Sequence, residues 1–208
     1  MFCADCEHTF NLSGENWVLT QLATGPASPL FDVISVRVPI YNQPDFRIYS
    51  TDGLGEFDTE QIAHFGLGVF FKAAVHSWTV GRRKRQLHFG PYLEPIRKYL
   101  IGSTDFPERT TLMFCLFPPA ELPKALSVPY QWNVHECHTY AFCVVGLEFV
   151  LSLGKQIPDW HRKYCFVKGA NRPVIITDHS QQHMQTRSIQ MMQDGNVKGK
   201  LARKISKA

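Results

Sequence analysis

Two periods of apolar and polar residues run along this chain, and the change from one to the other divides it. Over residues 4–23 the placing of Phe10, Trp17 and Leu22, with Val18 and Leu19 beside them, predicts one helix. Gly25-Pro26-Ala27-Ser28-Pro29 closes it. Residues 30–50 are rich in β-formers, with Pro39 and Pro44 restricting parts of the stretch to edge strand or loop. Asp52-Gly53 and Leu54-Gly55 predict a turn. The segment 59–78 is the longest helical run, and Ile62, Phe65, Leu67, Val69, Phe70, Ala73, Ala74 and Trp78 leave little of its circumference polar. That pattern predicts a central, buried helix. Asp58 is its expected N-cap, with Gln61 three residues later as in a capping box. A basic loop is expected over 81–85, then a shorter helix over 91–101 with Gly102 as its C-cap.

From residue 110 the period shortens to two. Thr110–Phe117 predicts a strand ended by Pro118-Pro119, and Thr139–Leu153 predicts two strands, or one bent at Gly146. Tyr164–Val167 and Val174–Thr177 are shorter strand candidates. Helices followed by an antiparallel β-sheet define the α+β class. One domain is expected over 1–178, and residues 179–208 read as a Gln/Met-rich and then Lys-rich tail.

Charge changes this picture only locally. The 208 residues carry a formal net charge of +4, and 44% of them are hydrophobic, which excludes global disorder. Lys198, Lys200, Arg203, Lys204 and Lys207 account for a local +5, leaving the rest of the chain close to neutral even with Arg82-Arg83-Lys84-Arg85 included. A body-wide nucleic-acid surface is therefore not implied, whereas two short basic segments are. The six cysteines show no disulfide-framework spacing, and neither a signal peptide nor a membrane-length apolar run is present, so a reducing cytoplasm is expected.

The candidate chemistry begins at Cys3 and Cys6, a C-x-x-C pair at a helix start. The pair reads either as half of a zinc site, its thiolates favoured by the helix dipole, or as two free thiols. His135-Glu136-Cys137-His138 would complete a metal site if the fold brought it to that pair. In a strand, however, His138 faces away from His135 and Cys137, and a strand-edge role is the alternative. His179 and His183 lack the Glu of a zinc-protease motif and read as surface residues. Arg82, Arg83, Lys84 and Arg85, with His76 and Trp78 nearby, could grip a DNA or RNA backbone, as could the lysine-rich tail; a solvated loop is the alternative. No phosphate-binding glycine loop, nucleophile elbow or dinucleotide fingerprint occurs.

Phe2-Cys3-Ala4-Asp5-Cys6-Glu7, Phe10-Asn11, Gly14-Glu15-Asn16-Trp17-Val18-Leu19, Phe46-Arg47-Ile48-Tyr49, His64-Phe65, Val69 through Trp78 and Gly90-Pro91-Tyr92 form a series. Together they resemble a group of bacterial HNH-endonuclease-like, treble-clef zinc proteins, over residues 2 to 178. The resemblance implies zinc as cofactor, Cys3 and Cys6 as the second half of its ligand set, and nuclease ancestry. Fuller members carry an earlier C-x-x-C and a Ser-His-x-x-Pro segment, whose His would be the general base. That segment is not in this sequence, so the resemblance supplies no catalytic residue. The expectation is a chain truncated at its catalytic segment, by a late start or by natural loss, and inactive alone as a nuclease. The alternative is a non-enzymatic interaction or regulatory domain.

Overall fold

The computed structural model describes residues 4–22, 29–44, 46–55, 57–80, 83–118, 127–134, 137–144, 146–168 and 174–177. The single helix expected over 4–23 is two helices, α1 (Ala4–Phe10) and α2 (Asn16–Gln21). Between them Asn11–Glu15 forms a wider turn whose helical path breaks at Gly14. The cause lies across the interface. A Cβ on Gly14 would stand 2.5 Å from the carbonyl oxygen of Gln61 and 2.8 Å from the backbone nitrogen of Phe65, so the two backbones meet directly.

Residues 30–35 are helical rather than extended, within α3 (Pro29–Ser35). Pro29 suits a first helical position, Asp32 faces the positive end of the dipole, and Leu30 and Ile34 bury one shared face. Within the stretch expected to be β-rich, the strands are the short β1 (Tyr41–Asn42) and β2 (Phe46–Tyr49).

The long helix, α4 (Thr59–Val75), is where the apolar pattern places it. Asp58 caps it, its carboxylate accepting from the Gln61 backbone N–H at 3.0 Å and from the Gln61 side chain at 2.8 Å. It ends at Val75, three residues earlier than the periodicity suggests. The returning chain is the reason: the Leu87 N–H and the Gln86 side chain donate to the carbonyls of Ala73 and Ala74, taking up acceptors that a helix end leaves open. Trp78 therefore belongs to β3 (Trp78–Val80), which pairs with β4 (Arg83–Arg85) in a two-stranded ribbon where a loop was expected. A turn at Gly90–Tyr92 leads into α5 (Leu93–Leu100). As expected, Gly102 terminates it, with φ +73° and a pair of bonds, Gly102 N–H to Tyr99 and Ser103 N–H to Lys98, that define a Schellman end.

Five more described strands and a helix complete the α+β fold: β5 (Thr110–Leu116), β6 (Tyr130–Val134), β7 (Cys137–Val144), β8 (Leu147–Leu153) and, after α6 (Asp159–Tyr164), β9 (Val174–Thr177). Residues 139–153 are thus two strands, turned at Gly146 with φ +79°. Tyr164–Val167 is not a strand: Tyr164 ends α6, and Phe166 makes one isolated bridge to Leu112. The described strands form a sheet in the order β1-β2-β9-β5-β8-β7-β6. Every neighbouring pair is antiparallel except β9 and β5, which run parallel.

One face of this sheet packs on α4. Phe65 lies 5.6 Å from Phe149, Phe70 lies 4.9 Å from Phe142, and the Phe142 and Phe149 rings stack at 4.8 Å. Each such ring contributes about 1.5–3 kcal/mol by leaving water. On its other side α4 is covered by the α1–α2 turn and α5, where the His64 ring nitrogen Nε2 donates to the Leu100 carbonyl at 2.9 Å. No described helix is long and apolar enough to cross a membrane.

Two glycines separate close approach from mere helix propensity. Gly14→Ala drives a methyl group into the α4 backbone and is expected to lower the unfolding free energy by about 1–3 kcal/mol. Gly68 lies inside α4 with nothing within 4 Å of an added Cβ, so Gly68→Ala is expected to raise stability by up to about 1 kcal/mol. Urea unfolding followed by circular dichroism reads both signs.

Candidate functional site

The ribbon β3–β4 follows directly from α4 and is held by it. Its register pairs Trp78 with Arg85, Thr79 with Lys84 and Val80 with Arg83. Positions 79 and 84 therefore share one face and positions 78, 80, 83 and 85 the other. The Lys84 and Arg85 side chains are exposed, whereas Trp78 is half-buried and packs on the core. Of the four predicted cations, Arg82 lies outside the described residues, and Arg83 is placed by its backbone in β4.

Beside the ribbon lies a cleft of about 560 Å³. Lys84, Arg85 and Gln86 line one side, and Tyr130 and Gln131 of β6 line the other, with His88 and Ser77 also reaching it. Among the described residues that line it there is no Asp or Glu. Three bonds fix its inner wall: Leu87 N–H to Ala73 O at 3.0 Å, Gln86 Nε2 to Ala74 O at 2.8 Å, and Tyr140 O–H to His88 O at 2.6 Å. A cavity with two exposed cations, no opposing carboxylate and a braced wall is suited to an anion. A larger cleft of about 670 Å³ near the end of α5 differs in kind. Its walls mix Lys98 and Lys168 with Glu94, Asp105 and Glu108, and ion pairs such as Lys168–Glu108 at 3.1 Å already neutralise part of them.

The sheet face away from α4 holds a second group, which the motif search over the sequence passes over. In register, Cys115 of β5 and Cys143 of β7 flank Glu148 of β8, and burial leaves Glu148 1% exposed. Burial raises its carboxyl group from 4.5 to about 8, partly opposed by a hydrogen bond from Cys143, and its Oε1 has no hydrogen-bond partner among the described residues. Burial also pushes Cys165 up to about 12 and Cys115 well above the ordinary thiol value. Such burial favours the protonated thiol at neutral pH over the nucleophilic thiolate. One signal was available: Glu148 is the only acid between Glu136 and Asp159, at an inward position of an apolar strand.

The remaining candidates are dispersed. Cys6 lies early in α1, but its side chain and all of Cys3 fall outside the described residues, as do His135, Glu136, His179, His183 and the tail. Cys137 and His138 are adjacent on β7 and so point to opposite faces. His76 sits at the C-cap of α4, its N–H bonded to Lys72 O. Among the described residues no group of three or more His, Cys, Asp or Glu side chains is placed to hold a metal ion. No protein-family model matches the chain, and neither a curated protein nor a solved structure is similar enough to it to be matched.

Glu148 sets a pH dependence whose sign is fixed. Its folded pKa lies above its ordinary value, so between about 4.5 and 8 the folded state binds the proton and the unfolded state releases it. Stability is expected to fall as pH rises through that window, by at most about 1.4 kcal/mol per pH unit. Glu148→Gln, which mimics the protonated acid, should flatten this part of the profile in urea unfolding at pH 5.5, 6.5 and 7.5.

Proposed function

We propose that the protein binds nucleic acid through the β3–β4 ribbon and the cleft beside it. The observation that carries this reading is the exposure of Lys84 and Arg85 on a braced ribbon that opens onto a cleft without described carboxylates. Two-stranded ribbons fit the major groove of DNA, and Lys and Arg bound to phosphates release condensed counterions. Arg82 and Arg83, adjacent in sequence, extend the same cationic run.

Kinship with HNH-like zinc proteins belongs to the same proposal, with zinc at Cys3 and Cys6 and no catalytic residue assigned. Its support is the C-x-x-C pair at the start of α1. The proposed setting is the cytoplasm, and the free thiols of Cys115 and Cys165 accord with a reducing compartment. A second reading, a protein-interaction domain, is favoured by one observation. Val36, Val38 and Ile40 are 83%, 88% and 61% exposed in the stretch before β1.

Fluorescence anisotropy with labelled 20-mer duplex and single-stranded DNA separates the two readings. Binding is expected at 50 mM salt and to weaken steeply by 200 mM. The Lys84→Ala/Arg85→Ala double variant should weaken it at least tenfold and reduce the salt slope by about two, with an unchanged circular dichroism spectrum. Undetectable binding at 50 mM salt, or a double variant that binds as the wild type does, overturns the nucleic-acid reading.

A further inference from the structure

The β1 edge of the sheet carries a group of aromatic rings that the core does not fully absorb. Among the described large apolar side chains that stand exposed, two are aromatic: Tyr41 of β1 at 38% and Trp160 of α6 at 52%. Register sets Tyr41 beside Ile48, on the sheet face away from α4, where Phe46 and Tyr164 pack around Ile48 and Cys115. The Tyr41 ring lies 5.7 Å from Phe46 and 5.7 Å from Tyr164, inclined to them by 30° and 36°. Tyr164 and Trp160 are four residues apart on α6 and share one side of it. Phe46, Tyr41, Tyr164 and Trp160 thus form one stripe that joins the β1–β2 hairpin to α6.

The stripe is fixed by its neighbours in the free protein. Trp160 stands 3.8 Å from the ring of His161, which is buried. Gln43 Nε2 donates to the Tyr41 hydroxyl oxygen at 3.1 Å, which leaves the hydroxyl proton for an acceptor on a ligand. The Trp160 indole N–H is a second donor and can only donate. Because its neighbours lie close to parallel, Tyr41 offers a ring edge and a hydroxyl more than an open face. A stacked nucleobase needs the open face. Edges and donors match a ligand with apolar rings and many acceptors.

Proline-rich chain has that chemistry. A prolyl residue has no N–H, its ring is apolar, and in the polyproline II conformation its carbonyls make no internal hydrogen bonds. Such a segment is also ordered before it binds, so two pre-formed surfaces meet at little entropic cost. We infer that the stripe is a docking site for a proline-rich segment of a partner protein, with prolyl rings against Tyr41, Tyr164 and Trp160. The Tyr41 hydroxyl and the Trp160 indole donate to its carbonyls. The site shares no residue with the ribbon, its cleft or the exposed stretch before β1, and rests on neither functional reading given above.

Calorimetry on the full chain tests this with deca-proline, a Gly/Ser decapeptide and a ten-nucleotide oligo(dT). Deca-proline is expected to bind at least tenfold more tightly than the Gly/Ser peptide. Trp160→Ala should weaken deca-proline at least tenfold with an unchanged circular dichroism spectrum. Tyr41→Phe keeps the ring and removes the donor, and should weaken it about three- to tenfold. Equal binding of the two peptides, or deca-proline binding that neither variant changes, overturns the site. No binding of deca-proline overturns it as well. If deca-proline fails while oligo(dT) binds and is weakened by Trp160→Ala, the stripe stacks bases and the peptide site is overturned.

Discussion

Phe149 lies directly under Gly66, where a Cβ on the helix would meet the ring at 2.6 Å, and this contact sets the spacing between α4 and the sheet. The rings of Phe65, Phe114 and Phe142 gather around Phe149 because that spacing is short. With α4 seated there, its far side becomes the platform for the α1–α2 turn, which Gly14 lets approach backbone to backbone. Its last carbonyls then receive Leu87 and Gln86, and those two bonds hold the ribbon and one wall of the cleft in place. The candidate site is thus a consequence of core packing: the residues that would touch a ligand are positioned by atoms of a buried helix.

The opposite face of the sheet follows a different rule. It buries Thr111, Thr139, Ser152 and Glu148 among apolar neighbours, and the Thr139 and Ser152 hydroxyls lie 3.5 Å apart. An acid kept neutral by its surroundings can sit in such a layer with one hydrogen bond, whereas an ionised one would leave a charge uncompensated in a medium of low dielectric. The two faces divide the roles. The aromatic face gives the domain its rigidity, and the polar one makes that rigidity sensitive to proton concentration.

What could be read from residues alone follows from how local each cause is. The long helix was legible because its apolar periodicity and the Asp58–Gln61 cap are both local, and the Schellman end at Gly102 was legible for the same reason. The break at Gly14 was not, since its cause sits some fifty residues away on α4. α3 was misread because Val33 and Ile34 weigh toward strand, although Pro29 and the Leu30–Ile34 spacing point to helix. β6 carried a strand signal that went unread, since Gln131 and Asn133 alternate with Tyr130, Trp132 and Val134 as in a half-buried strand, whereas the ribbon was not legible because three cations in a row look like a loop. The cations themselves were recognisable, whereas the cleft was not: it is assembled from β4 and β6, brought together only by the fold.

The place of β9 has a consequence for the order of assembly. This strand lies between β2 and β5, so Tyr49 meets Val174 and Phe46 meets Thr177 across most of the chain. The β1–β2 hairpin therefore has no bond to the rest of the sheet until nearly all of the domain has emerged from the ribosome. Closing so long a loop costs entropy before any pairing repays it, which places this step late in folding and makes it slow. Until then the outer edge of β5 stands open beside the unattached hairpin, an unpaired strand of the kind that recruits neighbouring chains. Speed of synthesis and local concentration, more than final stability, would then govern the yield of folded protein.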